Sequence, residues 1–358
     1  MMTTTQIEQQ DVGAVVQHVA GLAIGAATSA MIVVGDRLGL YGALAGGGAV
    51  TPQQLADATG TSERYVREWL AQQAAAGLVV HDATDGTFTL PPASAAVLAD
   101  DDSPAAMTGM CVQTEGLFRD IDLLVDAFRT GAGIGWGEHS APTFEGAERS
   151  FGAAYRAELL TRWVPALDGV TEALDAGARV ADVGTGRGVP VVLLAQAFPR
   201  SEFVGYDTHP ASIEVARRRA EEAGVADRVR FEVHDCQGYP QDGYDLVTFF
   251  DAFHDLGDPV GAAAYARHAL VPGGSLVLIE PRAADDLPTN LAGNPVAAFG
   301  YAASTFLCTP SSLSQPVGTA LGGQAGSARV RGVLDEAGFS DVRHVADSMI
   351  NMVIQARA

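Results

Sequence analysis

The sequence predicts an α/β fold, a Rossmann-like sheet of seven strands, preceded by an all-α domain that ends in a winged helix. Three observations carry this expectation. Val180–Val183 reads as a buried strand, Gly184, Gly186 and Gly188 follow at every second position, and Val189–Phe198 reads as an apolar helix. Strand, glycine turn and helix open a doubly wound α/β domain. Six further strand-like runs follow at 202–207, 228–234, 244–250, 275–280, 342–345 and 349–356. Upstream, two capped helices and a short hairpin fall between Thr51 and Leu90.

At 358 residues, and roughly 100–200 per domain, two domains are expected. The reading divides the chain into a polar, loose tail (1–11), a winged-helix and dimerisation domain (12–100), a helical linker region (101–174) and the α/β domain (175–358). An insertion rich in Gly, Pro and Ser interrupts the last at 281–325. Apolar residues make up 47% of the chain, ample for a core in each domain. The formal charge is -21, and all 22 basic residues are Arg. That balance repels polyanions, so nucleic acid and acidic membrane surfaces are not expected as partners. Cys111, Cys236 and Cys308 are odd in number and scattered, without a C-x-x-C pair. A reducing, cytoplasmic compartment follows, with no metal site expected. Met1–Gln10 lacks the basic n-region of a signal peptide.

Val12–Gly35 carries no formally charged side chain and is long enough to raise a transmembrane helix. Gln17, His18, Thr28 and Ser29, with many Ala and Gly, favour a buried, protein-facing helix instead. Gly21, Gly25 and Ser29 recur every fourth residue, a spacing that permits close helix–helix approach in a dimer or within one subunit. Ala30–Leu44 reads as a helix. Thr51 caps a helix with Pro52 at its first position and Gly60 at its end. Thr61 or Ser62 caps the next, whose Tyr65, Val66, Trp69 and Leu70 form one apolar face. Leu78–His81 and Gly86–Leu90 read as the wing. A winged helix often binds DNA, but Arg64 and Arg67 are offset here by Glu63 and Glu68, and residues 1–110 hold three Arg against eleven acids. The phosphate footprint is missing.

Pro91–Pro104 reads as the linker out of this domain. A helix follows with Phe118, Ile121, Leu124, Val125 and Phe128 on one face. Gly131–Ser140 is too glycine-rich for regular structure. It reads as a solvent loop, or alternatively as a lid that brings Trp136 and His139 to an acceptor. Phe151–Leu174 reads as one or two connecting helices.

In the α/β domain Asp207 ends the second strand, 25 residues past Asp182. An acid there can accept both ribose hydroxyls of a nucleoside, a device shared with nicotinamide enzymes. Val189 breaks the G-x-G-x-x-G spacing of those enzymes, and a cluster of acids would oppose a pyrophosphate. Arg217, Arg218 and Arg219 read as a solvated face paired with Glu221 and Glu222. The segment Asp251-Ala-Phe-His254-Asp255-Leu-Gly-Asp258 leaves the fourth strand at its carboxyl end, where ligands bind in open α/β sheets.

Asp182-x-Gly184-x-Gly186-x-Gly188 resembles motif I of the class I S-adenosylmethionine-dependent methyltransferases, where the turn holds the methionine end of the cofactor. The resemblance implies S-adenosylmethionine as cofactor, with Asp182 bracing a turn that includes Thr185. It also implies that Asp235 bonds the adenine amino group. Thr208, Cys236, Phe250 and Asp251 complete the expected cofactor site. The helix–turn–helix–hairpin order resembles the N-terminal dimerisation domain of small-molecule O-methyltransferases. His254-Asp255-x-x-Asp258 resembles the His-Asp-Trp-Ser-Asp segment of plant-type O-methyltransferases, with Leu256 in place of the Trp. That implies His254 as general base, Asp255 beside it, and imidazole suits proton removal near neutral pH. Cys308–Gly326 and Asn351–Arg357 resemble the same stretches of a bacterial group of winged-helix methyltransferases. Phe253, Phe299, Tyr301 and Phe306, with Trp136 and His139, are the expected walls of an acceptor pocket.

Together these readings predict methyl transfer to a small, apolar or aromatic molecule by a homodimer. The alternatives are a regulator using its winged helix on DNA, a nicotinamide oxidoreductase, and the same fold performing non-methylating chemistry.

Overall fold

The computed structural model describes residues 12–358; the tail expected at 1–11 lies outside them. The described chain divides into two compact units. One comprises the segment up to Arg119 together with Ser140–Ala153, the other Asp120–His139 together with Ala154–Ala358. The expected linker region 101–174 is therefore not a separate body. Its segments are shared out between the two units.

In the first unit the helix Val12–Arg37 stops before the turn at Leu38 and Gly39, the latter left-handed (φ 67°), and a second helix follows over Leu40–Ala45. The single helix expected over Ala30–Leu44 is thus two. The helix Pro52–Thr59 carries a reciprocal cap: Gln54 N–H donates to the Thr51 hydroxyl and Thr51 N–H to the Gln54 side chain. It stops at Gly60 in the left-handed region. In the helix Glu63–Ala75, Val66, Trp69 and Leu70 enter the core with Leu40, Tyr41, Leu55 and Phe88. Tyr65 does not; it is 80% exposed, since a one-residue step turns it about 100° away from Val66. The wing is the antiparallel pair β1 (Val80–Asp82) and β2 (Thr87–Thr89). Pro92–Leu98, expected within a linker, is a helix whose Leu98 is buried in the same core.

The helix Val12–Arg37 is not the buried element expected. Only Val33 and Gly35 are buried, Trp69 Nε1–H donates to Met31 O, and the first half is exposed from Val12 to Ile24. By length and composition this helix could cross a membrane. Among the described residues, a Cβ added at Gly21 or Gly25 would meet nothing within 4 Å.

The second unit is built on a seven-stranded sheet: β3 (Arg179–Val183), β4 (Glu202–Asp207), β5 (Val229–Val233), β6 (Tyr244–Phe250), β7 (Leu270–Pro281), β8 (Asp341–Asp347) and β9 (Asn351–Arg357), ordered β5-β4-β3-β6-β7-β9-β8. β9 runs antiparallel between β7 and β8 and the remaining neighbours are parallel. Order reverses beside β3, between its neighbours β4 and β6, so their carboxyl ends form the crevice where such folds bind ligands. Ala181, Val247, Phe249, Leu276, Leu278 and Ile354 fill the core beneath. Arg217 and Arg218 are exposed, as expected of a solvated face, but Arg217 pairs with Glu214 rather than with Glu221 or Glu222. Arg217 also donates to Phe231 O and Arg219 to Arg187 O, tying the helix Pro210–Glu222 to its neighbours.

Phe118 and, on the separate helix Ile121–Thr130, Ile121, Val125 and Phe128 are exposed rather than packed as one face. The insertion is largely helical, at Leu287–Gly293, Ala297–Ala303, Ser304–Cys308 (a π turn) and Thr309–Leu313. Gly131–Ser140 is not a solvent loop. Ile134 is buried and its N–H donates to Pro310 O, and a Cβ on Gly133 would overlap the backbone of Leu313 and Ser314.

Candidate active site

The glycine turn is shaped by backbone that other residues rarely adopt. Gly184, Gly186 and Gly188 all have positive φ, at 73°, 53° and 75°. Side chains at Gly184 and Gly188 would strike Ala252 and Phe231, whereas Gly186 has open space where a Cβ would stand. Asp207 Oδ2 accepts from Gly186 N–H at 2.8 Å and its Oδ1 from His209 N–H at 2.8 Å. Thr208 beside it is exposed. One strand over, Asp235 is exposed and accepts from Gln237 N–H, next to the half-buried Cys236, whose thiol burial pushes up to about 11.

Beneath the turn Asp182 is buried and accepts from the Thr248 hydroxyl at 2.8 Å. Burial drives its carboxyl up to about 7, against the lowering effect of the Thr185 and Thr248 hydroxyls. Burial also raises Asp207.

At the end of β6, Asp251 takes a left-handed backbone (φ 50°), a strain of about 1–3 kcal/mol for a non-glycine residue. Its N–H donates to Ile279 O, and its carboxyl accepts from the Tyr155 hydroxyl and Asn351 Nδ2, each at 2.7 Å. Burial pushes this carboxyl up to about 8. The Tyr155 phenol is raised well above its ordinary value, by burial and then by Asp251. Phe250 packs edge-on against Tyr155.

The short turn Phe253–Asp255 then places His254, 4% exposed, with Nδ1 2.8 Å from Glu280 Oε2 and Nε2 3.2 Å from Asp255 Oδ1. Glu280 also accepts from the backbone N–H of Phe253 and His254. A carboxylate only accepts, so Nδ1 carries the proton shared with Glu280. Burial alone would lower the imidazole; Asp255 and Glu280 outweigh it and hold the ring well above the ordinary histidine value.

Of the expected acceptor-pocket residues, Phe253 is placed elsewhere. It is fully buried in the sheet core against Phe249, because the turn points its ring inward. Phe299, Tyr301 and Phe306 are half-buried on the insertion, and Asn290 Nδ2 donates to the Tyr301 hydroxyl. His139 is sealed, with Nδ1 3.1 Å from Asp120 Oδ2, and Trp136 lies edge-on to it. The short turn Trp136–Glu138 reaches the β4 end of the crevice, where Gly137 faces His209. Glu280, Tyr155, Asn351 and Cys308 were not singled out for the site from sequence. Glu280 could have been found, since it closes the fifth strand of the sheet at its carboxyl end. A cavity of about 170 Å³ lies at the opposite ends of the strands, lined by Asp245, Val271, Gly273 and Arg357, away from this chemistry.

Comparison with known proteins gives two domain matches. Residues 174–338 match a methyltransferase domain and residues 26–100 an Rv2258c-like winged HTH domain. The chain is 35% identical over 104 residues to a demethylmenaquinone methyltransferase of Thermus thermophilus, covering 28% of this chain and 46% of that protein. It thus spans about half the length of the curated relative it matches. Among solved structures, mitomycin 7-O-methyltransferase superposes with a TM-score of 0.70 at 23% identity, covering 97% of this chain and 98% of that one. Human N-acetylserotonin methyltransferase in complex with S-adenosylmethionine gives 0.68 at 19% identity, covering 99% of each. At these identities the structural likeness speaks for the fold. Residues 174–338 of the second unit thus match a methyltransferase domain, and the seven-stranded architecture around them is shared with these solved structures. The open space at Gly186 and the Asp207 carboxylate on its amide fit an adenosyl group bearing a cationic sulfonium.

Proposed function

We propose that this protein, a class I S-adenosylmethionine-dependent methyltransferase with an N-terminal winged helix, transfers a methyl group to a small, apolar or aromatic acceptor, with His254 as general base. The observation that carries the reading is the His254–Glu280 pair at the carboxyl end of the sheet, beside a glycine turn with a carboxylate on its amide.

In this reading Asp207 accepts the ribose hydroxyls, Asp235 and Cys236 flank the adenine, and Gly184–Gly188 leave bare backbone for the methionine end. Asp182 braces the turn through Thr248. Bound there, S-adenosylmethionine supplies a methyl carbon already activated by its sulfonium. What remains for the chain is alignment, exclusion of water and removal of one proton. Phe299, Tyr301 and Phe306 offer an apolar surface to the acceptor. Glu280 keeps the proton on His254 Nδ1, which leaves Nε2 to take the acceptor's proton as the methyl arrives. Asp255, 3.2 Å from Nε2, stabilises the imidazolium so formed.

The acceptor class favours an enzyme over a DNA-bound regulator. Arg64 and Arg67, the cations of the helix Glu63–Ala75, are neutralised by Glu68 and Glu63. The unpaired thiols suit a reducing cytoplasm. A second copy of the chain would cover the exposed apolar half of Val12–Arg37, where Gly21 and Gly25 allow close approach.

Calorimetry with S-adenosylmethionine and its demethylated product tests the reading. Asp207→Ala should weaken both about 10- to 100-fold, the worth of a charge-assisted hydrogen bond. Wild-type protein that binds neither ligand would end the proposal.

A further inference from the structure

We propose that His254, Asp255 and Cys308 form a site for a thiophilic divalent cation of the zinc type. Two segments far apart in sequence bring the donors together: the turn Phe253–Asp255 and the π turn Ser304–Cys308. An imidazole nitrogen, a carboxylate oxygen and the thiol sulfur all lie within 4.8 Å of one another. Mixed N, O and S donors select zinc and its soft neighbours, whereas magnesium and calcium take oxygen. Three such ligands leave the fourth tetrahedral position open.

The geometry needs little adjustment. Two ligands at about 2.0–2.1 Å from a tetrahedral zinc stand about 3.3 Å apart. His254 Nε2 and Asp255 Oδ1 are 3.2 Å apart. With the proton of the neutral ring committed to Glu280 through Nδ1, Nε2 presents a lone pair to that oxygen. Asp255 Oδ1 is itself buried, and among the described residues it has no donor beyond the His254 ring and the Cys308 thiol. A cation between the two takes the place of the second ring proton, which Asp255 Oδ1 otherwise attracts. Glu280 completes the carboxylate–histidine–metal arrangement that orients zinc-bound imidazoles.

Cys308 and His254 are buried, while the Asp255 side chain keeps 20% of its surface in solvent, which offers an entry. The thiol's nearest other partner is the Ala303 carbonyl, at 4.0 Å. Room beside the trio depends on Gly323, where a Cβ would stand 3.1 Å from Cys308 Sγ and 3.7 Å from His254 Nε2. A bound cation would occupy the lone pair that proton abstraction uses, so the loaded site and an active base exclude each other. The cation site does not rest on the methyl-transfer reading, because it can be measured without cofactor or acceptor.

The test uses full-length protein stripped with a chelator, titrated with Zn²⁺ in a calorimeter and with Co²⁺ by absorption. One equivalent should bind, with a thiolate-to-cobalt charge-transfer band. Cys308→Ser should abolish the band, Cys111→Ser should leave it, and Glu280→Gln should weaken the metal about 10- to 100-fold. An unchanged far-ultraviolet circular dichroism spectrum and melting temperature would certify each variant as folded. Absence of a saturable equivalent, or a band that survives in Cys308→Ser, overturns the site. Neither result touches the base assignment, which fails separately if His254→Ala keeps full methyl transfer.

Discussion

His254 Nδ1 stands 2.8 Å from Glu280 Oε2, and the two side chains are 5% and 1% exposed. A buried ring with one nitrogen committed to a carboxylate has a single tautomer, and its chemistry is confined to the other nitrogen.

His254→Ala should lower methyl transfer about 100- to 10,000-fold, the usual worth of a positioned base. Affinity for the demethylated cofactor should stay as in wild type. Glu280→Gln keeps the shape but accepts from Nδ1 only through an amide oxygen, so a smaller loss is expected. Single-turnover transfer of a labelled methyl group distinguishes the two, and unchanged turnover in His254→Ala removes the base.

The pH profile has a defined sign. Asp255 and Glu280 raise the imidazole well above its ordinary value, so the charged ring, which cannot accept a proton, persists to higher pH than in a free histidine. kcat/KM should rise with pH, with its midpoint above the ordinary histidine value of about 6.5. Asp255→Asn should move that midpoint towards acid. A midpoint at or below the ordinary value would contradict this assignment.

Stability should depend on Asp251. Its carboxyl ionises at about 8 when folded and at about 3.9 when unfolded. Between those values the folded chain holds a proton the unfolded chain has released, so stability falls as pH rises from about 4 towards 8. Asp182, at about 7, acts in the same direction. Asp251→Asn removes one of these titrations and should flatten the melting temperature across this window; parallel curves for variant and wild type would refute the linkage.

Leu22, 63% exposed, lies on the apolar half of the helix Val12–Arg37. If a second copy covers that face, light scattering should give twice the chain mass, and Leu22→Glu should give a monomer. A monomeric wild type, or one that partitions into neutral lipid vesicles, would assign the face to something else.

Much of the architecture was legible because its causes are local. The seven strands follow from apolar runs bounded by turn residues, and the Thr51–Gln54 cap from residues three apart. The glycine turn follows from residues that take φ near 73° without a steric penalty. Apolar pattern also had a limit: it shows that a face is apolar, not what covers it. Tyr65 and the helix Val12–Arg37 were expected inside and lie exposed, while Phe253, expected in a pocket, is in the core.

What the chain order by itself determined is the list of elements and which of them end in carboxylates. Only the tertiary structure decided that Glu280 meets His254, that Tyr155 and Asn351 clasp Asp251, and that Cys308 stands beside both His254 and Asp255. Those partners lie from about 26 to 100 residues apart in the chain. They are joined by the order in which strands pair and by how the insertion folds back over their ends, neither of which any short window of residues encodes.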